Sequence, residues 1–199
     1  MGTPKITDKR WSIDLEKRIQ EEHYGESYST RYSFDPASKK EIFVIDTPPP
    51  YPSGTWHIGA VAQYSMIDVI ARSQRLLGKE VYFPWGVDRN GINIEFTVEK
   101  KTGKKMRTFE RGEFIDICKE TIEEYTQAMR ETAFRVGLSC SFENEYLTDS
   151  PEFRSVTQSI FVDLFKQGNI IEDLRPNIYD PVVGTRIAVA EVQRISRAT

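Results

Sequence analysis

Residues 41–95 read EIFVIDTPPPYPSGTWHIGAVAQYSMIDVIARSQRLLGKEVYFPWGVDRNGINIE. The apolar start of this stretch, Ile42 to Ile45, predicts a strand apolar on both faces, as buried parallel strands are. Pro48, Pro49, Pro50 and Pro52 then stiffen a loop by locking φ, while Gly54 and Gly59 let backbone or ligand approach closely. From Ile58 to about Leu77 the apolar residues Ile58, Val61, Met66, Ile67, Val69, Ile70 and Leu77 fall roughly on one side of a helix, and Gly78 follows as a C-cap. A second short apolar strand covers Glu80 to Pro84. Strand, loop, helix and strand together have the length of one right-handed βαβ unit, so the expected fold class is α/β with a parallel sheet.

Working outward, Trp11, Leu15 and Ile19 have helical spacing and predict an amphipathic N-terminal helix over residues 11–23 that packs on the main body, followed by a loop to about residue 40. Residues 93–102 read as a short helix ending at Gly103. A long helix over 110–136 carries Phe114, Ile115, Cys118, Ile122, Tyr125, Met129, Ala133 and Val136, and Gly137 ends it. SFENEYLTDS supplies another extended piece. Ser150 and Pro151 resemble an N-cap with proline in the first turn of a helix closed by Gly168. The apolar segment 181–195 is expected to pack back as a strand or to form a surface for self-association. Glu99 to Arg107, EKKTGKKMR, reads as a solvated turn rather than a phosphate-binding patch.

Composition excludes several classes. The 27 Lys and Arg against 30 Asp and Glu give a net charge of -3, so no general basic surface is available for nucleic acid. Cys118 and Cys140 lack the companions of a zinc site or a disulfide framework, which suits a reducing cytoplasm. No leader is expected from the N-terminal residues, and no apolar run reaches membrane-spanning length. No Ser-His-Asp set or paired carboxylates stand out.

The chemistry is therefore expected where a βαβ unit offers it. The loop after the first strand lies at the carboxyl edge of the sheet, and the next helix turns its free N–H groups and positive dipole end toward it. Phosphate is the natural ligand there. No G-x-G-x-x-G is present; instead His57 stands at the helix mouth, where it can donate to a phosphate oxygen or serve as a cap. Asp88 in VDRNG can hold a cation or make an ordinary turn.

Four blocks in order carry a more specific signal: PPPYPSG at 48–54, HIGA at 57–60, GVDRNGINIE at 86–95, and YLTDSPEF with QSIFVDLFKQGNI over 146–170. Together they resemble the first half of the catalytic domain of class I aminoacyl-tRNA synthetases of the valine, isoleucine and leucine group, in an archaeal-like form. The triple proline and VDRNG favour the valine branch. The resemblance implies a Rossmann-like parallel sheet with flanking helices, with residues 1–40 as lead-in, 41–180 as the first half of the nucleotide-binding domain, and 181–199 as the start of a connection to an editing insertion.

It also implies ATP with its Mg2+ as cofactors, the phosphates lying near His57 and Gly59. Ala60 replaces the second histidine of the HIGH signature, so Gln63 or Tyr64 is expected to supply the missing nucleotide contact. Pro49, Pro50 and Tyr51 would line the amino-acid pocket, Asp88 would hold the substrate ammonium, and Asn93 and Glu95 are weaker candidates. No zinc is expected, because RPNIYDPVVGTRIAVAEV contains no cysteine knuckle. Implied partners are valine and, in a longer enzyme, tRNA(Val), with no membrane. The chain is expected to carry the HIGH-type half of an active site and to be inactive alone. Rival readings are a leucine or isoleucine enzyme, a stand-alone nucleotidyltransferase, and a non-catalytic folded piece.

Overall fold

Two helices, α1 (Ile13–His23) and α2 (Tyr28–Arg31), precede strand β1 (Ile42–Val44) in a computed structural model that describes residues 10–23, 28–52, 56–174, 176–182 and 184–187. Helix α3 (Ile58–Leu76) leads to β2 (Glu80–Tyr82), which pairs in parallel with β1 from Ile42↔Glu80 to Val44↔Tyr82. A parallel partner requires a crossover, and α3 supplies it. Strand β3 (Pro84–Val87) follows β2 directly; α4 (Asn93–Thr102) and α5 (Arg111–Val136) then cross to β4 (Ser141–Leu147), parallel to β3. Ile45 N–H donates to the Tyr82 carbonyl and Ser141 N–H to that of Phe83. Successive carbonyls of a strand point to opposite sides, so β1 and β4 flank the β2–β3 segment.

Alternation along that central segment buries Val81, Phe83, Trp85 and Val87 on one face. They form one core with Tyr64 and Ala71 of α3, Met129 and Ala133 of α5, and Leu138 and Cys140. Helix α5 stops at Gly137, whose φ of 79° is the left-handed conformation that a side chain would disfavour, and its N–H closes on Phe134 and Ala133 carbonyls. Helix α1 leans on the end of α5, with Gln20 Nε2 donating to the Arg135 carbonyl.

The chain divides into two units, Met1–Ser155 and Val156–Thr199. The boundary falls inside α6 (Pro151–Lys166), which begins as the sequence implies, with Phe153 N–H donating to Ser150 Oγ. In the second unit Gly168 follows α6, and β5 (Tyr179–Asp180) and β6 (Thr185–Arg186) form a small antiparallel hairpin. Part of the segment 181–195, residues 183 and 188–195, lies outside the described residues, as does Gly54.

Two expectations are corrected. Strand β1 is not buried on both faces: Ile42 and Val44 are 50% and 58% exposed, because α3 and α5 cover only one side of the strands. Helix α3 likewise turns Tyr64, Asp68 and Ala71 inward, while Ile58, Met66, Val69, Ile70 and Leu77 face outward. Polar bonding selects that face. The buried Asp68 carboxylate accepts from the Ser139 N–H and hydroxyl and pairs with Arg72, whose guanidinium also reaches the Gly137 carbonyl. Arg75 adds bonds to the Ser139 hydroxyl and carbonyl.

Asp68→Ala removes the acceptor of the buried Ser139 N–H, and should cost about 2 kcal/mol in urea unfolding, as orphaned buried donors do. A loss indistinguishable from that of an exposed substitution would contradict the assigned role.

Candidate functional site

Prolines have no N–H, so a triple-proline loop can be anchored only through its carbonyl oxygens and its flanks. Both kinds of anchor are present. Tyr64 of α3 donates its hydroxyl to the Pro48 carbonyl at 2.8 Å, and Asp88 at the end of β3 donates its N–H to the Pro50 carbonyl at 2.9 Å. Tyr51 donates its hydroxyl to the Gly91 carbonyl at 3.3 Å. A Cβ on Gly91 would lie 2.9 Å from the Tyr51 ring, which explains the glycine that follows VDRN. Trp56 stacks on Tyr64 with ring centroids 5.0 Å apart and also touches Trp85, fixing the far side of the loop in the core. Burial pushes the Tyr64 phenol up to about 12, and pushes the Tyr51 and Tyr146 phenols up as well.

At the helix mouth His57 is the N-cap of α3, with extended backbone and its Nδ1 accepting from Ala60 N–H at 3.3 Å. That bond fixes Nδ1 as the acceptor and leaves Nε2–H free of the cap. Gly59 leaves room for this arrangement, since a Cβ there would stand 3.0 Å from His57 Nδ1 and Cε1 and the ring would have to give by a few tenths of an ångström. The histidine, any residue, glycine spacing thus suits the packing of the cap. Ala60 spends its N–H on His57, whereas the amides of Ile58 and Gly59 precede any helical carbonyl that could accept them. Gln63 is exposed one turn on. Tyr64 cannot supply a missing nucleotide contact, because it is 7% exposed and its hydroxyl is committed to Pro48.

Asp88 joins the proline loop to the end of β4. Its Oδ1 accepts from Asn90 N–H and from Thr148 Oγ1, both at 3.1 Å. The first is the turn bond that the sequence offers as an alternative to ligand binding, and it engages only one oxygen. Arg89 turns away, pairing with Glu123 at 2.6 Å and Asp149 at 3.1 Å, so it does not neutralise Asp88. Gly86 has no room for a side chain under the Tyr146 ring, which stacks on Phe153. Pro49, Asp46, Thr47, Val44, Tyr146 and Phe153 contribute to a cleft of about 600 Å³ beside the loop.

The structure therefore gathers Pro49, Pro50, Tyr51 and Asp88 around one loop, with His57, Gly59, Ala60 and Gln63 at the helix mouth behind it; the Tyr64–Pro48 bond ties the two groups together. Asn93 and Glu95 lie in the first turn of α4. Sequence reasoning missed the roles of Asn90 and Thr148, although the first lies in the GVDRNGINIE block and the second in YLTDSPEF. Among the described residues no three His, Cys, Asp or Glu side chains converge on a metal-holding position.

Residues 21–197 match the family model for class I tRNA synthetases of the I, L, M and V group. The chain belongs to that family. It is 40% identical over 183 residues to the valine–tRNA ligase of Thermoplasma acidophilum, a match that covers 91% of this chain and 23% of that protein. It is 40% identical over 195 residues to that of Aeropyrum pernix, covering 96% and 24%, and 42% identical over 163 residues to that of Rickettsia akari, covering 81% and 20%. A crystal structure of the ternary LeuRS-tRNA-LeuAMS complex of Agrobacterium radiobacter K84 aligns with a TM-score of 0.64 at 28% identity, over 90% of this chain and 20% of that one. The parallel α/β fold is thus that of a class I synthetase, and the chain spans about a fifth to a quarter of the relatives it matches.

The raised Tyr64 phenol has a sign. Between pH 10 and about 12 the unfolded chain releases this proton first, so the stability that the protonated phenol contributes is complete below pH 10 and falls as pH rises through that window. Tyr64→Phe should be about 1 kcal/mol less stable at pH 8 in urea unfolding, the scale of one hydrogen bond, and the gap should narrow toward pH 12. A gap independent of pH would contradict the assignment.

Proposed function

We propose that this chain is part of a valine–tRNA ligase and carries the HIGH-type half of its active site, with residues 41–180 as the first half of the nucleotide-binding domain. The observation that carries the reading is the bond from Asp88 N–H to the Pro50 carbonyl, which joins the triple-proline loop to an aspartate in a chain 40–44% identical to valine–tRNA ligases. Pro49, Pro50 and Tyr51 shape a small apolar pocket, and Asp88 takes the ammonium of valine on its second oxygen. A desolvated ammonium needs such a partner.

ATP lies with its phosphates at the mouth of α3. His57 Nε2–H and the Gly59 amide donate to them, the helix dipole favours their charge, and Ala60 and Gln63 border the nucleotide. Mg2+ arrives with ATP and offsets the phosphate charge. In the first step the valine carboxylate attacks the α-phosphorus and pyrophosphate leaves; in the second a terminal ribose hydroxyl of tRNA(Val) takes the aminoacyl group. Neither step needs a side-chain nucleophile, because positioning and charge stabilisation supply most of the catalysis. The cytoplasm is the expected compartment; no described helix is long and apolar enough to cross a membrane. Self-association through 181–195 is a further part of the reading, and so is the inability of the chain alone to charge tRNA.

Calorimetric titration with non-hydrolysable valyl-, leucyl- and isoleucyl-adenylate analogues tests the proposal. Valine-selective binding that falls at least tenfold in both His57→Ala and Asp88→Ala is expected, since each removes a bond to a charged group. Selective binding of the leucyl analogue would transfer the chain to the leucine branch. Unchanged affinity in the two variants would refute the assigned site.

A further inference from the structure

The carboxylate of Asp88 is held by a hydroxyl whose hydrogen can point in only one direction. Thr148 Oγ1 has one hydrogen and two lone pairs. It accepts from the Arg89 N–H at 2.8 Å and from Asn90 Nδ2 at 3.0 Å, and both of these groups can only donate. The amide orientation of Asn90 is itself determined: the same Nδ2 lies 3.0 Å from the Thr148 carbonyl, which can only accept. With its lone pairs engaged, the hydroxyl must donate its hydrogen to Asp88 Oδ1, 3.1 Å away. Asn90 N–H takes the same oxygen at 3.1 Å. No protein donor among the described residues reaches Oδ2. Thr148 is 7% exposed, and its own N–H is fixed to the Val87 carbonyl at 3.1 Å, so water competes little for this network and the β4 backbone holds it in register.

We propose that Thr148 is a positioning residue that locks one oxygen of Asp88 and thereby presents the other to the substrate ammonium. The inference rests on the proposed amine-binding role of Asp88 and extends it to the opposite strand. It gives a reason for two separate sequence blocks to depend on each other: VDRN supplies the carboxylate and two donors, and YLTD supplies the hydroxyl that sorts them. Tyr51, on the loop bonded to Asp88, closes the other side through Gly91.

The experiment compares two ligands on the chain: valyl-sulfamoyl adenosine and its isovaleryl counterpart, identical except for the missing amine. Their affinity ratio isolates the ammonium contact from everything else in the site. Asp88→Asn should bring the ratio close to one. Thr148→Val, which keeps shape and removes the hydroxyl, should lower the ratio about tenfold through loss of valyl binding while leaving isovaleryl binding unchanged, and Thr148→Ser should restore it; tenfold corresponds to one charge-assisted hydrogen bond. Should Thr148→Val fail to fold, Asn90→Ala at an exposed position decides, and is expected to lower the ratio about threefold by freeing the hydroxyl to rotate.

Equal loss of both ligands in Thr148→Val, or a ratio unchanged in Thr148→Val or Asn90→Ala, overturns the positioning role. If Asp88→Asn still abolishes discrimination in that case, the amine-binding reading stands without it. A wild-type chain with no preference for the amine overturns both.

Discussion

The constraint on which the site depends is the chemistry of three consecutive prolines. Pro48 to Pro50 offer no N–H to any neighbour, so the loop cannot join the sheet ladder, and only its carbonyls can hold it. Two donors use that opportunity from opposite directions, the Tyr64 hydroxyl from α3 and the Asp88 N–H from β3. The loop is thereby suspended between the mouth of the crossover helix and the carboxyl end of the neighbouring strand. In a βαβ unit those are the two places where ligand contacts can be made, and fixing the loop to both sets their separation.

A second layer holds the anchors themselves. Tyr64 is kept in place by stacking on Trp56 and by the core around Trp85; the rotation of α3 that presents it is set by Asp68, whose carboxylate binds Ser139 just past the C-terminal end of α5. Asp88 is held by Asn90 and Thr148. Glycines appear where these contacts leave no space: Gly59 under the His57 ring, Gly86 under Tyr146, Gly91 under Tyr51. The glycines of HIG and of the second half of GVDRNG pack against His57 and Tyr51, side chains that the proposed chemistry also uses.

Much of the local structure was legible. Helix ends announced by Gly103, Gly137 and Ser150-Pro151, the parallel pairing through a crossover, and the grouping of Pro49, Pro50, Tyr51 and Asp88 all follow from short-range signals or from the family blocks. What escaped was long-range polar bonding. Helix α3 is apolar on two sides, so hydrophobic periodicity cannot choose its inward face; Asp68 chooses it through Ser139, and nothing near Asp68 in the sequence announces that partner. The exposure of Ile42 and Val44 escaped for a related reason, since an apolar strand reads the same whether one or both faces are covered. Thr148 was invisible because its importance lies in a hydrogen bond across β3 and β4.

Amide hydrogen exchange at Asp88, measured by NMR in the wild-type chain and in Tyr64→Phe, tests most directly whether the proline loop is one suspended unit. The two anchors share the loop, so loss of the Tyr64 hydroxyl should speed exchange at Asp88 about fivefold, the effect expected from about 1 kcal/mol of lost local protection, while amides in the middle of α5 quicken only as far as global stability falls. Exchange at Asp88 that follows the α5 amides unchanged would show the two anchors to be independent and would contradict the account.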